Sequence, residues 1–254
     1  MQPLFAATLG RLDDAVQRLT PRIERAEFAD TAGGRAYRHR EKHDLLGCYL
    51  KAVRIVSSLH ACMHLLRVGH VQEIYVLCRC VDEYAEDIAF MSFPDGGDGK
   101  ASAEQRRFVN EYFQEEFSDG DDPVASQQDR DRVSRRKIHA ALARVHSPSN
   151  PSRSQQVQMS IHKTFSGFVH AAYVHTMDLF NGRTYRTRGM LGTPRIEECE
   201  EQMASYIYRA AIAIALVAHR LDDEQLAGSL KAMLAEFARQ ADCMPDAATR
   251  VKYQ

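Results

Sequence analysis

The chain contains no tryptophan, only six cysteines and almost no net charge, −1 from 33 basic and 34 acidic side chains in 254 residues. Each shortage excludes something. Near-neutral charge excludes a globally basic nucleic-acid binder, though not a local basic patch. Few, unpaired cysteines exclude a disulfide-dense scaffold and lead us to expect reduced thiols in a cytoplasmic setting. The longest strongly apolar stretch, Ile207 to Val217, is shorter than the roughly 18–20 residues a membrane helix needs, so no membrane association is expected. Met1-Gln2-Pro3-Leu4-Phe5 offers no basic region ahead of an apolar one, so no signal peptide is expected. Alternating strand patterns are scarce, and there is no Gly-rich phosphate loop after a strand.

Helical periodicity and arginine are what the chain has in quantity. Hydrophobic residues make up 44%, enough for a sizeable core. Leu4, Leu9, Leu12, Val16, Leu19 and Ile23 predict an amphipathic N-terminal helix over 3–30, with Pro21 kinking or splitting it. Further helices are predicted over 41–68, 70–93, 102–117, 125–146, 154–180, 194–221 and 223–243. Breakers separate them: Gly69, Pro94-Asp95-Gly96-Gly97, the acidic loop 118–123, Ser147-Pro148 and Asn181-Gly182. Ser102-Ala103-Glu104-Gln105 has capping-box form. The expected fold class is therefore all-α, a single-domain bundle of about seven or eight helices. The nearly apolar 207–218 segment is expected either in the core or at a homodimer interface.

In a bundle, a site is built from side chains on facing helices, so polar residues on apolar faces are the first candidates. Helical spacing places His60 and His64 in the apolar arc of the 41–68 helix, with Leu45, Leu46, Tyr49, Leu50, Val53, Val56, Leu59 and Met63. On the 154–180 helix it places His162 and Ser166 within the arc and His170 at its edge. On the 70–93 helix Arg79 and Glu83 lie opposite Ile74, Cys78, Val81 and Ile88, at what reads as a second contact face. A zinc site using His60, His64 and His162 or His170 is one alternative, but no H-E-x-x-H pattern supports it, and neither metal nor cofactor is expected. Cys78 and Cys80 point in different directions on a helix, and all six cysteines read as structural.

Two segments carry a family resemblance. Ile74-Tyr75-Val76-Leu77-Cys78-Arg79-Cys80-Val81-Asp82-Glu83 and Phe165-Ser166-Gly167-Phe168-Val169-His170 resemble the Arg-x3-Glu and Ser-x3-His helices of a bacterial all-helical family of unknown function, distantly HEPN-like, over about residues 40–220. The resemblance implies a polar set of Arg79, Glu83, Ser166 and His170. Two readings follow. In the first, these four form a buried network that sets helix register in a non-catalytic binding or interaction module. In the alternative, the protein is a HEPN-like metal-independent endoribonuclease in RNA processing or phage defence. His170 would then be its acid/base, Arg79 would hold a phosphate, Glu83 would orient Arg79, and Ser166 would bond substrate or His170.

Arginine supplies 26 of the 33 basic residues. Arg183, Arg186 and Arg188, with Arg195 just beyond, fall in a loop free of acidic residues and suit phosphate or nucleic acid through their bidentate forks. A second basic cluster, Arg130, Arg132, Arg135, Arg136 and Lys137, lies near the acidic residues Asp119, Asp121 and Asp122. An RNA or a protein partner is expected.

Overall fold

The computed structural model describes residues 1–94, 99–115, 124 and 131–241. Its described residues form nine α-helices and one two-stranded hairpin, an all-α bundle. Helix α1 is Gln2–Leu19, with a proline in its first turn and Phe5, Leu9, Leu12, Val16 and Leu19 buried. The helix expected over 3–30 stops well short of that. Pro21 lacks the backbone donor that the next turn needs, and the chain leaves through a 3-10 turn, Thr20–Arg22. Strands β1 (Glu27–Thr31) and β2 (Gly34–Arg38) follow, antiparallel, with Phe28 opposite Tyr37 and Thr31 opposite Gly34. Gly34 takes the left-handed φ of 105° that closes the turn. Both strands show an exposed-to-intermediate pattern, so the hairpin carries no apolar face for periodicity to reveal.

Helices α2 (Asp44–Val68) and α3 (Val71–Ser92) form an antiparallel pair around left-handed Gly69. The His43 side chain caps α2 by accepting from the Leu46 amide. Helix α4 (Ala103–Tyr112) opens on the expected capping box of Ser102 and Gln105. Helix α5 is Arg135–His146, and the start expected for it near 125 lies outside the described residues. Helix α6 (Pro151–Val169) and the short α7 (Tyr173–Met177) replace the single helix expected over 154–180. The break falls at Ala171, whose φ is 48°. Glycine normally ends a helix in this conformation. With alanine there, nothing in the sequence announced the end. Helix α8 (Arg195–Arg220) and α9 (Glu224–Gln240) complete the bundle. Asp223 caps α9 at the Leu226 amide and pairs with Arg18, fastening α9 to α1.

The centre of the bundle is α3, which packs on α2, α5, α6 and α8. Along its whole length only Glu73 is exposed. Helix α8 is the second inner helix, and Ile207, Ala210, Ala211, Ile214, Val217 and Ala218 are buried in the core. The 207–218 segment is thus core. By length and composition α2 could cross a membrane, but most of its apolar window is buried inside the bundle. It also carries Lys51, whose ammonium is 2.7 Å from Asp87 and stands over the rings of Tyr84, Phe108 and Tyr112. A cation enclosed by three aromatic faces and one carboxylate is held by cation–π attraction as well as charge.

Asp87 has a second cation, Arg135 at 2.7 Å, so removing Lys51 costs one charged hydrogen bond and does not strand the carboxylate. Lys51→Met should therefore lower unfolding free energy by about 2 kcal/mol in urea titrations. The Lys51→Met/Asp87→Asn double variant, which also deprives Arg135 of its nearest carboxylate, should be less stable still.

Candidate charged network and arginine loop

Helix α3 concentrates four carboxylates, Asp82, Glu83, Glu86 and Asp87, within two turns of an almost fully covered helix. Burying an unpaired carboxylate is costly, and three of the neighbouring helices, α2, α5 and α8, bring a cation. Lys51 comes from α2 to Asp87. Arg135 comes from α5 to Asp87 at 2.7 Å and to Glu86 at 3.7 Å. His139, also on α5, meets Glu86 at 2.9 Å. Arg209 comes from α8 to Asp82. Burial pushes the Glu86 carboxyl up from its ordinary value, against the opposing pull of His139 and Arg135. Burial pulls the Arg135 guanidinium down, but Asp87 outweighs it and the net shift is upward.

Arg79 and Glu83 face α6 within this network. Arg79 Nε donates to Glu83 Oε1 at 3.0 Å, and Arg79 Nη2 lies 3.3 Å from His162 Nε2. His162 Nδ1 is 3.7 Å from Glu83 Oε1. An arginine can only donate, so His162 Nε2 accepts and the ring proton sits on Nδ1, toward Glu83. Burial and then the nearby Arg79 charge push the His162 pKa below its ordinary 6.5. His162 is thus a neutral imidazole whose one lone pair is already engaged. One nitrogen of Arg79, Nη1, is buried without a hydrogen-bond partner among the described residues, as is His139 Nδ1.

The structure brings together three residues singled out in the sequence: Arg79, Glu83 and His162. Ser166 and His170 stand elsewhere. Ser166 is half-buried one turn further on, with its carbonyl accepting from the His170 amide. His170 is exposed at the end of α6, two turns and about 12 Å along the axis from His162. The resemblance motif pointed to the later histidine. The periodicity had placed His162 on the inner face, and contact with α3 selects it.

His60 and His64 are exposed, whereas Ser58 and Cys62 are buried. Leu46, Tyr49, Val56, Leu59 and Met63 of the expected arc are buried, but the buried face extends to the other side through Cys48, Ala52, Ile55, Cys62 and Leu66, so its centre lies about a quarter turn from the one expected. Small residues let α2 approach α3 closely, and weighting by large apolar side chains misplaced the face. Among the described residues no group of three His, Cys, Asp or Glu side chains is placed to hold a metal ion. The described cysteines, Cys48, Cys62, Cys78, Cys80 and Cys199, are free. Burial pushes the Cys48 thiol up to about 11 and Cys199 up to about 12, so both are protonated, unreactive packing groups.

The second basic cluster is largely neutralised. Arg135 pairs with Asp87, Lys137 with Glu104 at 3.4 Å and Arg132 with Glu111 at 4.0 Å; Arg130 lies outside the described residues. The 179–188 loop is different. It folds back on itself: the Arg186 amide donates to Leu179 O, the Asn181 amide donates to Thr184 O, and Phe180 bridges Tyr185. The Asn181 side chain accepts from the Arg183 and Thr184 amides at 3.0 and 2.9 Å. This turn presents the paired rings of Phe180 and Tyr185, 40% and 48% exposed. Arg183, Arg186 and Arg188 belong to the same loop, exposed or half-buried, and make no ion pair among the described residues. The loop is anchored at Gly189, whose α-carbon passes so close to Val68 O that no β-carbon fits, and by the Met190 amide donating to Gly69 O at 2.8 Å.

No protein-family model, curated protein or solved structure matches the chain.

The neutral state of His162 has a signed consequence. Its folded pKa lies below 6.5, so between the two values the unfolded chain binds more protons, and stability falls as pH falls through that window. Glu86 works the other way. Its raised folded value favours the native state on acidification, and that contribution is lost as pH rises through it. His162→Gln retains an acceptor for Arg79 but does not titrate. Between neutral pH and about pH 5, wild type should lose more melting temperature than His162→Gln. Parallel melting curves for the two proteins would show the assignment of His162 to be wrong.

Proposed function

We propose that this chain is a non-catalytic binding module that engages single-stranded RNA through the 179–188 loop, while the charged network around α3 serves the architecture. The supporting observation is the contrast between two sets of cations. Those at α3 are held in ion pairs, whereas Arg183, Arg186 and Arg188 make no ion pair among the described residues and share a loop with an exposed aromatic pair. Unpaired guanidinium groups hold phosphates, and aromatic faces stack on unpaired bases, which only a single strand offers. Free, largely buried thiols fit a reducing cytoplasm.

The alternative, a HEPN-like metal-independent endoribonuclease, needs a histidine with a free lone pair beside a phosphate-holding arginine. At His162 the lone pair is engaged by Arg79, and His170 lies two turns away. The non-catalytic reading is therefore the better supported.

Fluorescence anisotropy with a labelled single-stranded RNA tests the binding. Three phosphate contacts give a slope of log K against log salt of about −2. Arg183→Ala/Arg186→Ala/Arg188→Ala should abolish binding, and Tyr185→Ala should weaken it about tenfold. Equal binding by the triple variant overturns the proposal. RNA cleavage in EDTA that disappears with His162→Ala or His170→Ala would overturn the non-catalytic part and establish the nuclease.

A further inference from the structure

A cavity of about 460 Å³ opens between α3, α6, α7 and the start of α8. It lies one helical turn from the charged network. One wall is aromatic: the ring centroids of Tyr75, Phe165 and Phe168 stand 4.6 to 6.1 Å apart. Its volume falls in the range of small-molecule sites, roughly 300–1,000 Å³.

Local backbone geometry builds this space. A β-carbon at Gly167 would meet the His175 ring where it now lies, so the glycine lets that ring sit close and stack on Phe168 at 3.8 Å. Gln72 on α3 donates to His175 O at 2.9 Å, tying α7 across the cavity mouth. The break at Ala171 turns α7 back toward α3, and the contact of Gly189 with the α2–α3 corner brings buried Met190 into the lining.

The polar rim is acidic. Arg195 is held by two carboxylates, Asp178 and Glu198, each at 2.7 Å, and that trio carries one net negative charge. Glu201 lies one turn beyond Glu198 on the same face of α8 and makes no ion pair among the described residues. Aromatic wall and acidic rim line the same cavity, Tyr75, Phe165 and Phe168 with Asp178, Arg195, Glu198 and Glu201.

We propose that this cavity is a binding site for a small organic cation, an aromatic or quaternary ammonium, with Tyr75, Phe165 and Phe168 as the apolar wall and Glu201 as the counter-charge. Ring faces attract cations through their quadrupole, and the chain already encloses one in this manner, with Lys51 among Tyr84, Phe108 and Tyr112. The acidic rim disfavours phosphate and carboxylate ligands. The site is separate from the arginine loop, so it stands or falls independently of RNA binding.

Calorimetric titration of the full chain with benzyltrimethylammonium, benzyl alcohol and benzoate tests the class, as the three probes differ chiefly in charge. The expected result is saturable binding of the cation only, weakened about fivefold by Glu201→Gln. Phe168→Ala should weaken it as well. Glu201 is exposed, so its variant keeps the fold. Three results overturn the proposal: no saturable binding of the cation, equal or tighter binding of the alcohol or benzoate, or unchanged affinity in Glu201→Gln.

Discussion

The bundle depends on one electrostatic constraint: its central helix is acidic. Asp82, Glu83, Glu86 and Asp87 all lie on α3, and α3 is covered on every side. A carboxylate out of water needs a partner, so the helices around α3 are chosen for the cation they carry as much as for their apolar stripe. Lys51, Arg135 and Arg209 occupy these places, and His139 adds a hydrogen-bond contact to Glu86. Apolar burial drives the helices together but is non-directional. Matched charges at fixed heights along α3 give each neighbour its register.

This constraint explains why many of the chain's charged side chains are engaged with one another inside the bundle. Arg79, Glu83 and His162 form the kind of constellation that active sites use, yet their donors and acceptors are directed at one another. The balance shifts at the α6–α7–α8 end of the molecule. There a glycine contact at the α2–α3 corner and a left-handed alanine turn the backbone out of helix. The resulting loops carry exposed aromatic rings, arginines without an ion pair among the described residues, and part of the lining of an open cavity. The helices supply rigidity and the loops supply surface, a division expected when loops carry function on a rigid scaffold.

The helical class, the breakers at Gly69 and Ser147-Pro148, the capping box at Ser102 and the inward face of His162 were legible because each depends on local spacing or local backbone chemistry. The β-hairpin at 27–38 was not legible, since its strands bury little and leave no periodic trace. The face of α2 was misread because Cys48, Ala52, Ser58 and Cys62 are small. They count for little in a hydrophobic pattern, but they are what allows two helices to come close.

By itself the sequence determined an all-helical chain, where most helices begin and end, and which loop gathers arginine without acid. These follow from interactions between residues a few positions apart, whose geometry is the same in any helix or turn. Only the tertiary structure decided that Arg79 meets His162 and not His170, that one basic cluster is largely paired while the other makes no ion pair among the described residues, and that aromatic residues from α3 and α6 wall a cavity rimmed by α8. Those outcomes depend on which helices become neighbours and at what rotation. That choice is made by charge pairing and close packing between residues far apart in the chain.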